Sequence, residues 1–255
     1  MALSSLSAAD CRARYLRQAL WTKELRDHVF RRVGLGRLRR ILEVGCGPGT
    51  LTPEIHRRSG AWVCGLDIQP RFLALARQGD PFSTWVAGNG LRLPFQNAVF
   101  DLTYCHFTLL WVRDPAYALM EMKRVTLAGG WVLALAEPDY GGRIDYPVEL
   151  AEIGRLQGQA LASQGADPFI GRRLGELFHQ AGLADLKTGL LGGQWSKPPS
   201  PEDWESEWQI LQADLQGSLP PEKLRELKRL DQAAWQRGAR VLFVPTFYAW
   251  GRVPG

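Results

Sequence analysis

Long apolar runs are missing from this 255-residue chain. The longest, Trp131 to Ala136, is far shorter than the roughly 20 residues a membrane-spanning helix requires, so no membrane insertion is expected. The opening MALSSLSAADCRARYLRQ has no apolar core region, which argues against a secretory signal. Cysteine is scarce as well. Cys11, Cys46, Cys64 and Cys105 are widely spaced and form no C-x-x-C pair. That speaks against a disulfide framework and suits a reduced, cytoplasmic protein. The four histidines are scattered without metal-ligand spacing, so no metal is expected. There is no internal repeat and no low-complexity tract. With 45% apolar and 22% charged residues, the composition is that of a soluble globular protein. The length suits one large α/β domain, with or without a cap.

The charge balance is basic, +5 at neutral pH. Part of the excess is local, because RRVGLGRLRR, residues 31–40, holds five arginines. One reading is a solvated helix end and linker; the other is a patch for nucleic acid or another acidic partner. No basic tail and no recognised RNA- or DNA-binding motif accompanies the run, so nucleic acid is not the expected partner.

Residues 10–33 place Tyr15, Leu16, Leu20, Leu25, Val29 and Phe30 at helical spacing, as in an amphipathic helix or helix pair. Strands are expected over 41–44, 61–67, 84–87, 99–105 and 131–136. Helices run from about Thr50 to Arg58, from Pro70 to Gln78, and from the capping Asp114 with Pro115 at the first helical position to about Val125. This alternation with short connections implies a mostly parallel, doubly wound sheet. The second half is less regular. It offers a helix-like piece in 147–162, a helix over 172–181 ended by Gly182, and a strand over 185–191. Two helices follow, opened by Ser200-Pro201-Glu202-Asp203 and by Pro220-Pro221, and then a last strand over 241–250. Residues 1–36 are expected to form an N-terminal helical cap. Residues 37–255 form the main domain, with cap insertions at about 141–170 and 197–239.

The most informative stretch is ILEVGCGPGT, residues 41–50. A buried strand (Ile41, Leu42, Val44) ends in a glycine-rich turn that lets the backbone bend sharply and approach a ligand. The helix after it points free amide groups at whatever lies in the turn, and nucleotide cofactors bind at this place in an open α/β sheet. The dinucleotide pattern G-x-G-x-x-G requires a third glycine at position 50, where Thr50 stands. What is present is E-x-G-x-G-x-G, from Glu43 to Gly49.

That pattern resembles motif I of the class I S-adenosylmethionine-dependent methyltransferases. The resemblance covers residues 38–137 well and the remainder loosely. It is closest to the small-molecule branch that includes the ubiquinone and menaquinone C-methyltransferases, known as type 11. It implies a Rossmann-like, doubly wound, seven-stranded, mostly parallel sheet with an antiparallel last strand and helical cap insertions. It also implies S-adenosylmethionine as cofactor, with S-adenosylhomocysteine as product, and a small-molecule methyl acceptor. Monomer and homodimer are both compatible.

The family pattern assigns Gly45, Cys46, Gly47 and Gly49 to the cofactor turn and Glu43 to the aminoacyl end. An alternative for Glu43 is a strand-end carboxylate that caps a backbone amide. Asp67 ends the second strand, where a carboxylate's two oxygens accept both ribose hydroxyls, and Ile68 would lie against the adenine. Asn89 stands where the family has aspartate and keeps an acceptor for the adenine amino group. Gly90 and Leu91 would supply backbone near the ring. Leu93-Pro94-Phe95 and Phe100-Asp101 are also familiar from the family, with Asp101 in a structural role. Tyr15 would cover the cofactor and Arg14 would meet its carboxylate, both by analogy.

His106, at the end of the fourth strand, either lines the cofactor pocket or acts as a base on the acceptor. Asp139 and Tyr140, after the fifth strand, are the substrate-pocket candidates; the competing reading is a loop whose acidic side chains cap backbone. Trp204, Trp208 and Trp235 either pack the cap or line a pocket for a flat apolar substrate. No N-P-P-Y follows the fourth strand, where YCHF stands instead, which counts against nucleic-acid base N-methylation. Two other readings remain: an RNA methyltransferase using residues 31–40, and a non-catalytic methyltransferase-like binding protein.

Overall fold

A computed structural model of the chain describes residues 8–190, 192 and 198–255. Helices α1 (Ala8–Trp21) and α2 (Lys23–Val33) precede β1 (Arg40–Val44). Then come α3 (Thr52–Ser59), β2 (Trp62–Asp67), α4 (Pro70–Gly79), β3 (Thr84–Ala87), β4 (Phe100–Cys105), α5 (Pro115–Val125) and β5 (Thr126–Pro138). The second half holds β6 (Ile144–Tyr146), α6 (Ala151–Ser163), α7 (Ile170–Gln180), β7 (Ala184–Leu190), α8 (Pro201–Asp214), α9 (Pro221–Gln236), β8 (Val241–Phe243) and β9 (Thr246–Arg252). Seven strands form one sheet in the order β3-β2-β1-β4-β5-β9-β7. β1 to β5 are mutually parallel, and β9 runs antiparallel to both β5 and β7. This is the Rossmann-like sheet that the alternation of elements and the family resemblance imply.

Strand parity sorts the core into two layers. Ile41, Val63, Leu102, Tyr104, Leu133 and Leu135 face α2 and α3 on one side of the sheet. Leu42, Val44, Cys64, Leu66, Cys105, Val132 and Ala134 face α5 and α7 on the other. Glu43 and His106 share the parity of Ile41 and Tyr104, so both point into the layer that α2 covers. Because the strands are parallel, the carboxyl ends of β1, β2, β3 and β4 lie along one edge. β3 and β4 flank β2 and β1 on opposite sides, so the chain reverses its strand order between β1 and β4, where such sheets open a crevice.

Local signals act as expected at several helix starts. Asp114 accepts the amide of Tyr117 at 3.0 Å, and Ser200 accepts that of Asp203 at 3.1 Å. Elsewhere the elements differ from expectation. β5 begins at Thr126, five residues before Trp131, with a register shift against β4. The expected last strand over 241–250 is two strands. Pro245 separates them; β8 pairs with β6 in a small sheet of its own, and β9 enters the main one. α2 is no part of a cap: Leu25, Val29, Phe30 and Val33 are core residues against the sheet, so among the described residues of the expected N-terminal cap it is α1 that covers the edge. Leu191 and Lys197, at the bounds of the expected strand and of the second cap insertion, lie outside the described residues.

Candidate active site

The glycine turn follows β1 directly. Gly45 and Cys46 donate their amides to the carbonyl of Leu66, at 2.8 and 3.0 Å, which ties the turn to β2. Gly47 donates to Asp67 Oδ2 at 2.8 Å, and Asp67 Oδ1 accepts the amide of Gln69 at 2.8 Å. Each carboxylate oxygen thus retains acceptor capacity for a further donor. Burial pushes the Asp67 carboxyl up from its ordinary value, opposed by those backbone hydrogen bonds. Gly49 has φ +72°, and a Cβ there would lie 2.5 Å from the Trp85 ring, so position 49 excludes a side chain on two counts. Cys46 packs its sulfur against Leu73, Ala76 and Trp85; its part in the turn is played by backbone.

Glu43 is 2% exposed. Its Oε2 accepts from the hydroxyls of Thr52 and of Tyr104, the latter at 2.8 Å. The alternative of a backbone-capping carboxylate is not realised. Burial drives its carboxyl up to about 7, against the opposing pull of those hydroxyls and of Arg26. Ile68 is 63% exposed, an apolar side chain left open directly after Asp67. Asn89 Oδ1 accepts the amide of Leu91 at 2.9 Å, closing its own turn, and Gly90 comes against Val44 at the end of β1. Asp67, Ile68, Asn89, Gly90 and Leu91 therefore gather beside the glycine turn at the carboxyl edge of β1, β2 and β3.

α1 covers this edge. A Cβ at Gly47 would lie 3.1 Å from the Tyr15 ring, and the ring meets Phe72 edge-on at 5.7 Å. Tyr15, Gln18, Glu43, Gly45, Thr50 and His106 are among the residues lining a cavity of about 20 Å³, room for about one water. α1 packs over the glycine turn and leaves only this small space beside Glu43. Arg14 does not face this cavity. Its charge acts on Glu207 and Asp214 of α8 and on Tyr140.

His106 lines the wall of this cavity. Its Nε2 lies 2.8 Å from Thr22 Oγ1. Burial and the neighbouring Arg26 guanidinium push the imidazole down to about 3, so the ring is neutral at physiological pH. Phe107, next in the chain, holds φ +50°, a costly backbone conformation for an aromatic residue that its amide secures on the Ala136 carbonyl at 2.8 Å. Thr22 and Arg26 were not legible as site residues. The one signal is a polar i, i+4 pair on the helix face that also carries Leu25, Val29 and Phe30.

Asp139 takes the backbone-capping alternative. It is 2% exposed, held by Arg172 through two hydrogen bonds of 2.5 and 2.7 Å, and it caps the turn at Gly141 with a 2.9 Å bond. The backbone-capping alternative also holds for Glu137, whose carboxylate accepts the amides of Thr108, Leu109 and Leu110 at 2.9, 2.9 and 3.2 Å and so fixes the loop after His106. Tyr140 stays half-buried among Arg143, Arg14, Asp214 and Glu207. Trp204 and Trp208 pack the cap: both indoles donate to Asp231 Oδ2, at 2.6 and 2.9 Å. Asp101 is structural as well, accepting the amides of Arg39 and Arg40 at 2.8 and 2.7 Å.

The five arginines of 31–40 are exposed. Arg39 and Arg40 stand at the amino end of β1, while the glycine turn follows its carboxyl end, about 16 Å away along a five-residue strand. The run is on the wrong edge of the sheet to feed a substrate to the glycine turn. Among the described residues no helix is long and apolar enough to cross a membrane, and no group of three or more metal-ligating side chains converges.

Fold and turn together define the class I methyltransferase architecture. A family profile described as a methyltransferase domain matches residues 42–134. Demethylmenaquinone methyltransferase of Geobacillus kaustophilus is 31% identical over 183 residues, which are 64% of this chain and 78% of that one. Malonyl-[acyl-carrier protein] O-methyltransferase of Erwinia pyrifoliae is 30% identical over 119 residues, 47% of this chain and 45% of that one. The chain spans about half the length of the first curated relatives it matches. Among solved structures, a methyltransferase described as putative from Bacillus halodurans superposes with TM-score 0.59 at 16% identity, covering 92% of this chain and 99% of that one. Geranyl diphosphate C-methyltransferase from Streptomyces coelicolor gives 0.57 at 17% identity, covering 92% and 79%. The chain belongs to the type 11 family of S-adenosylmethionine-dependent methyltransferases.

Proposed function

We propose that this chain transfers a methyl group from S-adenosylmethionine to a small-molecule acceptor. The observation that carries the reading is the pairing of the glycine turn with Asp67, at 2.8 Å between Gly47 N and Oδ2, on the carboxyl edge of a parallel sheet. Asp67 would accept the ribose hydroxyls and Ile68 would lie on the adenine. Asn89, Gly90 and Leu91 would border the ring, and Glu43 with the backbone of Gly45 to Gly49 would face the methionine half. When bound, the cofactor supplies an activated methyl on sulfur. The protein's task is then to hold a nucleophile in line with it, and proximity and orientation supply most of the acceleration.

Tyr15 and Gln18 occupy the space for the methionine half, so α1 swings aside on loading and closes again to exclude water. Tyr140, half-buried under the cap, is the candidate contact to the acceptor. The relatives are named for different acceptors, demethylmenaquinone and malonyl-[acyl-carrier protein], and the support here is for methyl transfer rather than for either compound. Incubation with methyl-labelled S-adenosylmethionine, a small-molecule extract and total RNA tests the reading. Label in the small-molecule fraction is expected. Label confined to RNA would overturn it and restore the arginine-run alternative.

A further inference from the structure

His106 projects from the end of β4 into the layer covered by α2, and Thr22 meets it there. The Thr22 hydroxyl oxygen lies 2.8 Å from His106 Nε2 and accepts from Arg26 Nη1 at 2.7 Å. A hydroxyl has one proton to give. Three acceptors compete for it: His106 Nε2 at 2.8 Å, the Ala19 carbonyl at 3.3 Å and the Gln18 carbonyl at 3.5 Å. The Ala19 carbonyl already accepts from Arg26. The shortest of these contacts favours Nε2 as the acceptor, with the ring's own proton on Nδ1; the opposite tautomer would leave the hydroxyl proton only the two longer carbonyl contacts. Arg26, held in turn by Glu54 at 2.8 Å, favours this state by polarising the hydroxyl toward the ring and by opposing a second ring proton. Among the described residues Nδ1 meets no protein partner. His106 is itself one of the residues that line the cavity under α1.

We propose that Thr22 is a positioning residue that fixes His106 as an Nδ1–H donor, and that this donor holds an oxyanion of the methyl acceptor: a carboxylate, an enolate or a phenolate. The proposal rests on the methyltransferase reading and names its substrate class. Such an acceptor enters already deprotonated. Its electron pair forms the bond to the methyl carbon, the carbon–sulfur pair returns to sulfur, and sulfonium plus anion become thioether plus neutral methylated product. No proton moves, so no base is required. An amine acceptor would need a site that takes a proton; here it would meet a ring hydrogen instead.

The test is nitrogen NMR of full-length protein labelled at histidine, where the two ring nitrogens report the tautomer without turnover. The wild type is expected to show the Nδ1–H form. Thr22→Val should lose that preference and Thr22→Ser should keep it. An Nε2–H ring in the wild type, or no change in a folded Thr22→Val, overturns the positioning role. With S-adenosylhomocysteine bound, 4-nitrophenolate should move the Nδ1 resonance and its methyl ether should not. No response to the phenolate, or an equal response to the ether, overturns the oxyanion assignment. A shift produced by S-adenosylhomocysteine but not by 5′-methylthioadenosine would give the donor to the cofactor's carboxylate and overturn it too. Failure of S-adenosylhomocysteine to bind would count against the methyltransferase reading, while the tautomer is still read in the cofactor-free protein.

Discussion

Asp67 Oδ2 accepts the Gly47 amide at 2.8 Å, so the residue that ends β2 holds the turn that follows β1. One carboxylate shapes the glycine turn and keeps acceptor capacity for a further donor. Asp67→Ala should weaken S-adenosylhomocysteine binding by about 1–3 kcal/mol, and Asp67→Asn, which keeps one acceptor oxygen, by less. Titration calorimetry of both variants checks this, and an unchanged affinity for the alanine variant removes Asp67 from the ribose site.

The Tyr15 ring lies against Gly47, so cofactor loading is expected to move α1. Hydrogen exchange of the α1 amides is expected to change on addition of S-adenosylhomocysteine, and Tyr15→Ala is expected to accelerate both association and dissociation. Identical α1 exchange with and without ligand would show that the cofactor enters without displacing the helix.

Glu43 gives a pH dependence with a definite sign. Its folded carboxyl is raised to about 7 from an unfolded value of 4.5. Between those two pH values the folded protein keeps a proton that the unfolded chain has lost, so stability falls as pH rises from 4.5 to 7 and then levels. The full span is about 3 kcal/mol. Glu43→Gln should be relieved of this loss, gaining on the wild type in urea unfolding between pH 5 and pH 8. A pH-independent difference between the two proteins would contradict the raised carboxyl.

The cap has its own polar core. Asp231 accepts from Arg240 Nε at 2.6 Å and from the indoles of Trp204 and Trp208, and Arg240 also reaches Asp145 at 2.8 Å. Asp231→Ala removes one of the two carboxylates on the buried Arg240 guanidinium and leaves both indoles without their acceptor, and should cost about 3 kcal/mol. Limited proteolysis and thermal unfolding, read with tryptophan fluorescence, should place the loss in α8 and α9. Retained S-adenosylhomocysteine binding is expected in the folded fraction; its loss would make the cap part of the cofactor site.

The placement of the glycine turn beside Asp67 and Ile68 was legible because its signals are local. Glycines 45, 47 and 49, the strand-ending Asp67 and the exposed Ile68 are each read from a few neighbouring residues. The partners that decide the other roles are distant in sequence. Asp139 reads as a ligand until Arg172 is found beside it, 33 residues on. His106 reads as a base until Thr22, 84 residues earlier, takes its Nε2. Tryptophan spacing in 204–208 could not tell a packed cap from an aromatic pocket, because Asp231, which receives both indoles, lies on the next helix. The division of 241–250 into two strands turns on Pro245, which lacks the amide a continuous ladder needs. α2 was misassigned to the cap because an apolar helix face does not say which surface it will cover.

Calorimetric titration of the purified, cofactor-free protein with S-adenosylhomocysteine, with NAD as control, tests the central claim most directly. Micromolar binding of S-adenosylhomocysteine and none of NAD is the predicted result, because the turn has Thr50 where a dinucleotide site needs its third glycine. No binding of S-adenosylhomocysteine by folded protein would contradict the account and leave the glycine turn as a remnant of the fold.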